Sequence, residues 1–309
     1  MNNDLDPLRL DQASVRRAFE RAAATFDAAS VLHREVSARM AERLGIVRLA
    51  PTSILDAGCG TGEALGELHA RYPGAGLLGI DFAFRMISAA RARAPARSEH
   101  ARSLLARLAG SYRDPPIARP QFVCGDLIRL PFRAGSVDLV WSNLVLQWVN
   151  DPAEAFAEFH RVLATGGLLS FTTLGPDTLR ELRSAFASVD PAVHVHRFID
   201  MHDVGDMLVH AGFADPVMDV ETLTLTYADG QSLMRELKAL GASNSAAARR
   251  RGLTGTRRWA AALTALDRFR SGGRLPASFE VVYGHAWKPE PRRAADGRDI
   301  VHFRRPARR

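Results

Sequence analysis

The run Ile54-Leu55-Asp56-Ala57-Gly58-Cys59-Gly60-Thr61-Gly62 constrains this chain more than any other stretch. A short apolar strand breaks into a loop with glycine at alternate positions, and a helical pattern follows over 63–71. Glycine at 58, 60 and 62 tolerates the φ > 0 angles of a tight strand-to-helix turn and removes Cβ atoms that would hold a ligand off the backbone. The helix start aims its amides and positive dipole end at the same spot. A dinucleotide fingerprint wants glycine or alanine three positions beyond its second glycine, where helix packs on strand. Counting from Gly60, that position is Glu63, charged and bulky. An ordinary glycine-rich turn is the plain alternative.

A second acid narrows the ligand. Gly76-Leu77-Leu78-Gly79-Ile80-Asp81 reads as the next strand, and Asp81 closes it about 20 residues after the loop, where an acid meets two ribose hydroxyls. A carboxylate accepts both hydrogen bonds. This supports a nucleoside without identifying it. The third strand, 121–124, ends in Gly125-Asp126-Leu127, where an acid can accept from an adenine amino group or simply cap a turn. A fourth strand, 137–142, runs into Asn143-Leu144-Val145-Leu146-Gln147-Trp148. Four loops thus gather at the carboxyl ends of strands, where open α/β sheets bind ligands.

Ahead of the first strand, residues 13–48 read as helix, with apolar positions from Val15 to Met40 on a period near 3.6. Strand and helix then alternate from Ser53 to Thr173, which predicts a parallel sheet. An arginine-rich excursion interrupts them between Ala94 and Pro120, helical near 103–108. Asp151 as N-cap and Pro152 in the first turn start a helix that Gly166-Gly167 follows, ahead of a strand over 168–173. After a helix over 177–189 the pattern loosens. Strand alternation returns over 220–226 and 279–287, with helical residues between, at about 230–270. The organisation expected is an N-terminal helical lid over 1–48, an α/β domain over 49–288 with a helical insertion at about 228–275, and a basic tail over 289–309.

The formal net charge of +7 and pI near 10.2 fit an anionic partner, although arginine abundance also follows from a GC-rich genome. Lys238 and Lys288 are the only lysines. Cys59 and Cys124 give neither metal spacing nor a disulfide framework and read as reduced packing residues. No run approaches the roughly 20 apolar residues of a membrane span, and no leader is visible, so a cytoplasmic protein is expected. No aromatic and basic interleaving of an RNA module occurs, so nucleic acid is not an expected partner.

The loop Asp56-x-Gly58-x-Gly60-x-Gly62 resembles the S-adenosylmethionine loop of class I methyltransferases, which binds the cationic methionine end of the cofactor. Several later blocks occur together in one family of that superfamily. They are Ser142-Asn143-Leu144 with Gln147-Trp148, Phe171-Thr172-Thr173-Leu174-Gly175-Pro176-Asp177, His194-Val195-His196-Arg197-Phe198, Leu233-Met234-Arg235-Glu236-Leu237-Lys238 with Gly241-Ala242, Gly252-Leu253-Thr254-Gly255 and Val282-Tyr283-Gly284-His285-Ala286-Trp287. Over nearly its whole length the chain resembles the malonyl-[acyl-carrier protein] O-methyltransferases of biotin synthesis. The resemblance implies a Rossmann-like class I methyltransferase fold, α/β, with a mostly parallel seven-stranded sheet and helices on both faces. It implies transfer of a methyl group from S-adenosylmethionine to the free carboxylate of a malonyl thioester on the carrier protein's phosphopantetheine arm, leaving S-adenosylhomocysteine. The ester then serves as a fatty-acid-like primer for pimeloyl synthesis.

For the cofactor, the expected residues are Asp56, Gly58, Cys59, Gly60, Gly62, Asp81, Phe82, Asp126, Leu127, Ser142 and Asn143. For the substrate pocket they are Gln147, Trp148 and His194, each of which also reads as plain core or packing. A malonyl carboxylate is ionised at pH 7, so no general base and no metal are expected. Arg197 is the expected cation for that carboxylate, since a guanidinium holds one in a planar fork. Carrier proteins are acidic, and Arg249, Arg250, Arg251, Arg257 and Arg258 are the expected docking cations. Three positions depart from the family pattern: Phe26 replaces a tyrosine before Asp27, His33 a glutamine, and Thr165 a proline. Two rival readings share the fold, namely a mitochondrial complex I assembly factor that hydroxylates arginine and a quinone-type small-molecule methyltransferase.

Overall fold

In a computed structural model, the structure describes residues 9–94, 119–250, 252 and 254–291. The arginine-rich excursion and nearly all of the basic tail lie outside them.

Seven strands form one sheet: β1 (Ser53–Ala57), β2 (Gly76–Asp81), β3 (Gln121–Cys124), β4 (Val137–Ser142), β5 (Leu163–Leu174), β6 (Ala214–Tyr227) and β7 (Leu275–Trp287). Their spatial order is β3-β2-β1-β4-β5-β7-β6. β1 pairs in parallel with β2 and β4, β2 with β3 and β4 with β5, while β7 runs antiparallel to both β5 and β6. Strand order reverses direction between β1 and β4, which opens the crevice at their carboxyl ends where such sheets bind ligands.

Helices cover both faces: α1 (Gln12–Ala22), α2 (Phe26–Ala29), α3 (Val31–Leu44), α4 (Glu63–Arg71), α5 (Phe84–Arg93), α6 (Pro152–Val162), α7 (Arg180–Ala187), α8 (Met201–Ala211), α9 (Gly230–Ala239) and α10 (Thr256–Asp267). One core lies under α6 and α8, with Phe156, Phe159, Leu169 and Phe171 fully buried. The other lies under α3, α4, α7 and the α9–α10 pair, around Ile54, Trp141 and Leu233. α6 starts as the sequence predicts, with Asp151 Oδ1 accepting from the amides of Ala153 (3.1 Å) and Glu154 (3.4 Å).

The helix expected over 13–48 is three helices. Thr25 Oγ1 donates to the carbonyls of Ala22 and Ala239, and Ser30 Oγ to that of Asp27, so short polar side chains take over backbone partners and turn the chain twice. β5 begins five residues before the expected strand because the pairing with β4 shifts register between Val137 and Leu139. α8 falls where the apolar pattern loosens, since it buries only Val204 and Leu208, but Asp200 caps its start through the His202 amide and Gly212 ends it at positive φ. The segment between β6 and β7 contains α9 and α10. No helix among the described residues is long and apolar enough to cross a membrane.

Candidate functional site

The glycine loop between β1 and α4 is held by two amides, Gly58 N and Cys59 N, which both donate to Ile80 O at 2.8 and 2.9 Å. All three loop glycines have positive φ, but they serve different neighbours. A Cβ on Gly58 would sit 2.4 Å from a methyl of Val145, and one on Gly62 would sit 3.1 Å from Ala90 of α5. Only at Gly60 is the space open, with Phe26 nearest at 3.8 Å. Close helix and loop packing therefore demands Gly58 and Gly62, and at Gly60 the space beside the bare backbone is open to a ligand.

Above this loop lies a cavity of about 320 Å³, lined by Asp56, Gly58, Cys59, Gly60, Asp81, Phe82, Asp126, Leu127 and Asn143 together with residues of α1 and α3. Nine of the expected cofactor residues thus meet in one place. Gly62 and Ser142 are not on its wall: Gly62 packs on α5, and fully buried Ser142 donates through Oγ to Ala57 O at 2.9 Å, bracing β4 against β1.

Two buried acids dominate the cavity. Asp56 Oδ2 has no hydrogen-bond partner, and desolvation, then the charge of Asp81, raises its pKa to about 8. Asp81 takes the Ala83 amide on Oδ1 (2.8 Å) and the Gly60 amide on Oδ2 (3.1 Å). Desolvation nevertheless lifts its pKa to about 6. Each Asp81 oxygen keeps a lone pair for a second donor. A buried acid with a free oxygen is stabilised by a cation, so the pair fits a ligand with an ammonium group at one end and a vicinal diol further along. Asp126 caps its own turn through Oδ1, on the Ile128 amide at 3.2 Å, and lines the cavity.

Helices α1 to α3 close the cavity. Glu20 on α1 accepts the first amides of α5, Phe84 N at 2.7 Å and Arg85 N at 2.9 Å. Thr61 of the glycine loop donates to Asp27 Oδ1, and Arg93 pairs with Oδ2 of the same acid. Asn143 Nδ2 donates to His33 O at 2.9 Å, while Arg43 pairs with Asp219 at 2.6 Å.

A second cavity of about 300 Å³ adjoins the first and shares with it Phe19, His33, Leu144 and Trp148. It is lined further by Gln147, His194, His196, Met234, Lys238 and Asn244. The expected Gln147, Trp148 and His194 are all on its wall. Trp148 is held edge-on by Phe19 (5.2 Å) and His196 (4.9 Å). Gln147 is pinned by Leu144 O and Thr173 Oγ1. Burial pushes the His196 imidazole down to about 4, which keeps it neutral near pH 7. His194 stacks on Phe186 at 4.1 Å and reaches Asp190 at 3.3 Å.

Arg197 is not with them. It is exposed and lines two outer clefts beyond Phe198, so the carboxylate-holding role expected of it does not match its position. His194, Val195, His196 and Phe198 line the second cavity, whereas Arg197 does not and is exposed. The expected docking arginines are also divided. Arg250 (3.1 Å) and Arg258 (3.8 Å) converge on the buried Asp190, and the Arg250 contact holds that acid well below the usual carboxylate range. Arg249 pairs with Asp11 at 3.3 Å. Arg257 is exposed, and Arg251 lies outside the described residues. Cys59 is buried as expected, whereas Cys124 is exposed at the end of β3.

Comparison with known proteins agrees with this geometry. Residues 55–171 match the model of a methyltransferase domain. The chain is 54% identical over 296 residues to the malonyl-[acyl-carrier protein] O-methyltransferase of Laribacter hongkongensis, covering 95% of this chain and 96% of that protein. It is 51% identical over 283 residues to the enzyme of the same description in Nitrosospira multiformis, covering 92% and 91%. Among solved structures, the YcgJ protein of Bacillus subtilis has the same fold, with a TM-score of 0.54 at 15% identity over 81% of this chain and 98% of that one. A candidate methyltransferase of Bacillus halodurans superposes with a TM-score of 0.52 at 18% identity, covering 82% and 99%.

Proposed function

The chain belongs to the malonyl-[acyl-carrier protein] O-methyltransferases, and from that premise we infer that it methylates the free carboxylate of malonyl-[acyl-carrier protein] with S-adenosylmethionine as donor. The resulting methyl ester serves as a primer for pimeloyl, and so biotin, synthesis. The relatives' descriptions favour this chemistry over arginine hydroxylation or methylation of a quinone-type molecule.

The observation that carries the reading is the pair of adjoining cavities, one with a buried unpaired acid and the other lined mainly by apolar and neutral polar side chains, with the cation Lys238 also on its wall. Asp56 would pair with the ammonium of the donor's methionine end, Asp81 with its ribose diol, and Asp126 or the Leu127 wall with its adenine. When bound, the donor supplies a methyl carbon on a positively charged sulfur. The carboxylate oxygen forms a C–O bond as the C–S bond breaks and its electron pair stays on sulfur, so opposite charges cancel and no proton moves. Substrate carboxylates of pKa near 4 arrive ionised, so the protein needs no base. Its work is to align oxygen, carbon and sulfur and to exclude water. Phe19, Leu144 and Trp148 supply the apolar part of the shared wall, and α1 to α3 serve as the lid.

We assign the carrier protein's docking to three exposed cations, Arg197 at the outer clefts, Arg257 in the first turn of α10 and Lys238 at the second cavity. The test is incubation with S-adenosylmethionine labelled in its methyl group and either malonyl or acetyl carrier protein. Label retained on the malonyl form as a base-labile ester, and not on the acetyl form, supports the reading; no label on either form overturns it.

A further inference from the structure

His33 stands on the wall common to both cavities and makes no hydrogen bond through its ring among the described residues. It projects from α3, its carbonyl fixed by Asn143 Nδ2 at 2.9 Å and its ring set edge-on against Phe26 at 5.1 Å. Neutral imidazole carries one N–H donor and one bare nitrogen. Nδ1 is sealed from solvent with no partner, so the remaining exposed part of the ring is the part that lines the cavities. Burial drives its pKa down to about 4, and a neutral ring does not repel a neighbouring sulfonium. Of the other residues common to both cavities, Phe19 and Leu144 have no side-chain polar atom and Trp148 has only its indole N–H, while Gln147 gives one amide N–H to Leu144 O and its oxygen to Thr173.

We propose that His33 donates a hydrogen bond from its ring to one oxygen of the malonyl carboxylate and so turns the other oxygen toward the methyl carbon. The proposal rests on the function inferred above and adds a residue that positions the nucleophile. In the step, the free oxygen forms the C–O bond while the C–S pair moves to sulfur, and the His33 proton stays on its nitrogen.

The test is steady-state kinetics of His33→Leu and His33→Gln with malonyl carrier protein, alongside calorimetric affinity for S-adenosylhomocysteine. Loss of an oriented hydrogen bond predicts a fall in kcat of roughly 10- to 100-fold for His33→Leu, recovered to within about 5-fold by His33→Gln, whose amide N–H reaches the same space. Affinity for S-adenosylhomocysteine stays within about 3-fold in both, which shows that the fold and the first cavity survive. Full activity of His33→Leu, or equal loss in both variants with product affinity intact, overturns the proposal. Wild-type protein inert toward malonyl carrier protein would instead refute the inferred function.

Discussion

Thr61 Oγ1 donates to Asp27 Oδ1 at 2.5 Å, so the glycine loop and the helices over it are joined at one carboxylate, which Arg93 holds from the other side. A charge-assisted bond of this kind contributes about 1–2 kcal/mol. Thr61→Val therefore weakens S-adenosylhomocysteine binding by roughly 5- to 30-fold if the bond keeps the lid closed, since each 1.4 kcal/mol is tenfold. Calorimetry measures this directly, and an unchanged Kd would show that the latch does not control the cavity.

Asp56 makes the ligand-free protein sensitive to alkali. Its carboxyl titrates near 3.9 in an unfolded chain and near 8 when folded. Between those values the folded state binds more protons than the unfolded one, so stability falls as pH rises from about 4 to 8. Asp81, lifted to about 6, contributes in the same direction over the lower part of that window. The melting temperature of the ligand-free protein should drop from pH 5 to pH 8, and Asp56→Asn should flatten the slope while weakening cofactor binding. Binding of the cationic ligand favours the ionised acid and releases protons near pH 7, seen as a buffer-dependent binding enthalpy. A flat melting profile, with no proton release, contradicts the assignment.

Gly58→Ala and Gly60→Ala separate packing from ligand approach. The first puts a Cβ 2.4 Å from Val145 at φ +84, which is incompatible with the loop as built. It should cost about 3 kcal/mol or more, the scale of overpacking plus backbone strain. The second meets nothing closer than 3.8 Å at φ +51 and should fold at a cost of about 1–2 kcal/mol while losing cofactor affinity. Thermal melts with and without S-adenosylhomocysteine distinguish the two outcomes.

The arginines divide the same way. Arg257→Glu and Arg197→Glu should raise KM for malonyl carrier protein by roughly 3- to 10-fold at low salt with kcat retained, and the difference should shrink as the Debye length shortens. Arg250→Ala should instead lower stability by about 1–3 kcal/mol, because the buried Asp190 then keeps Arg258, His194 and the Ala192 amide but loses its nearest cation. Equal KM values for wild type and the two charge reversals would exclude docking at those positions.

The parallel half of the fold was legible because its signals are local. β1 to β4, the glycine loop, Asp81 and the Asp151-Pro152 helix start each follow from residues within one turn or strand. Neighbours distant in sequence decide the rest. Nothing around Gly58 or Gly62 announces that Val145 and Ala90 will occupy the space beside them, and nothing around Ser142 announces the Ala57 carbonyl. The charge of Arg197 suits a carboxylate, yet it stands exposed between the buried His196 and Phe198, which face the second cavity. His33 showed only as a departure from its family, and its position between the cavities depends on how α3 crosses the sheet.

The most direct test is a crystal structure with S-adenosylhomocysteine bound. The account predicts its ammonium on Asp56, its ribose hydroxyls on Asp81, and its sulfur facing the wall of His33, Leu144 and Trp148 toward the second cavity. A sulfur turned away from that wall, or an Asp56 carboxylate left unpaired, would contradict it.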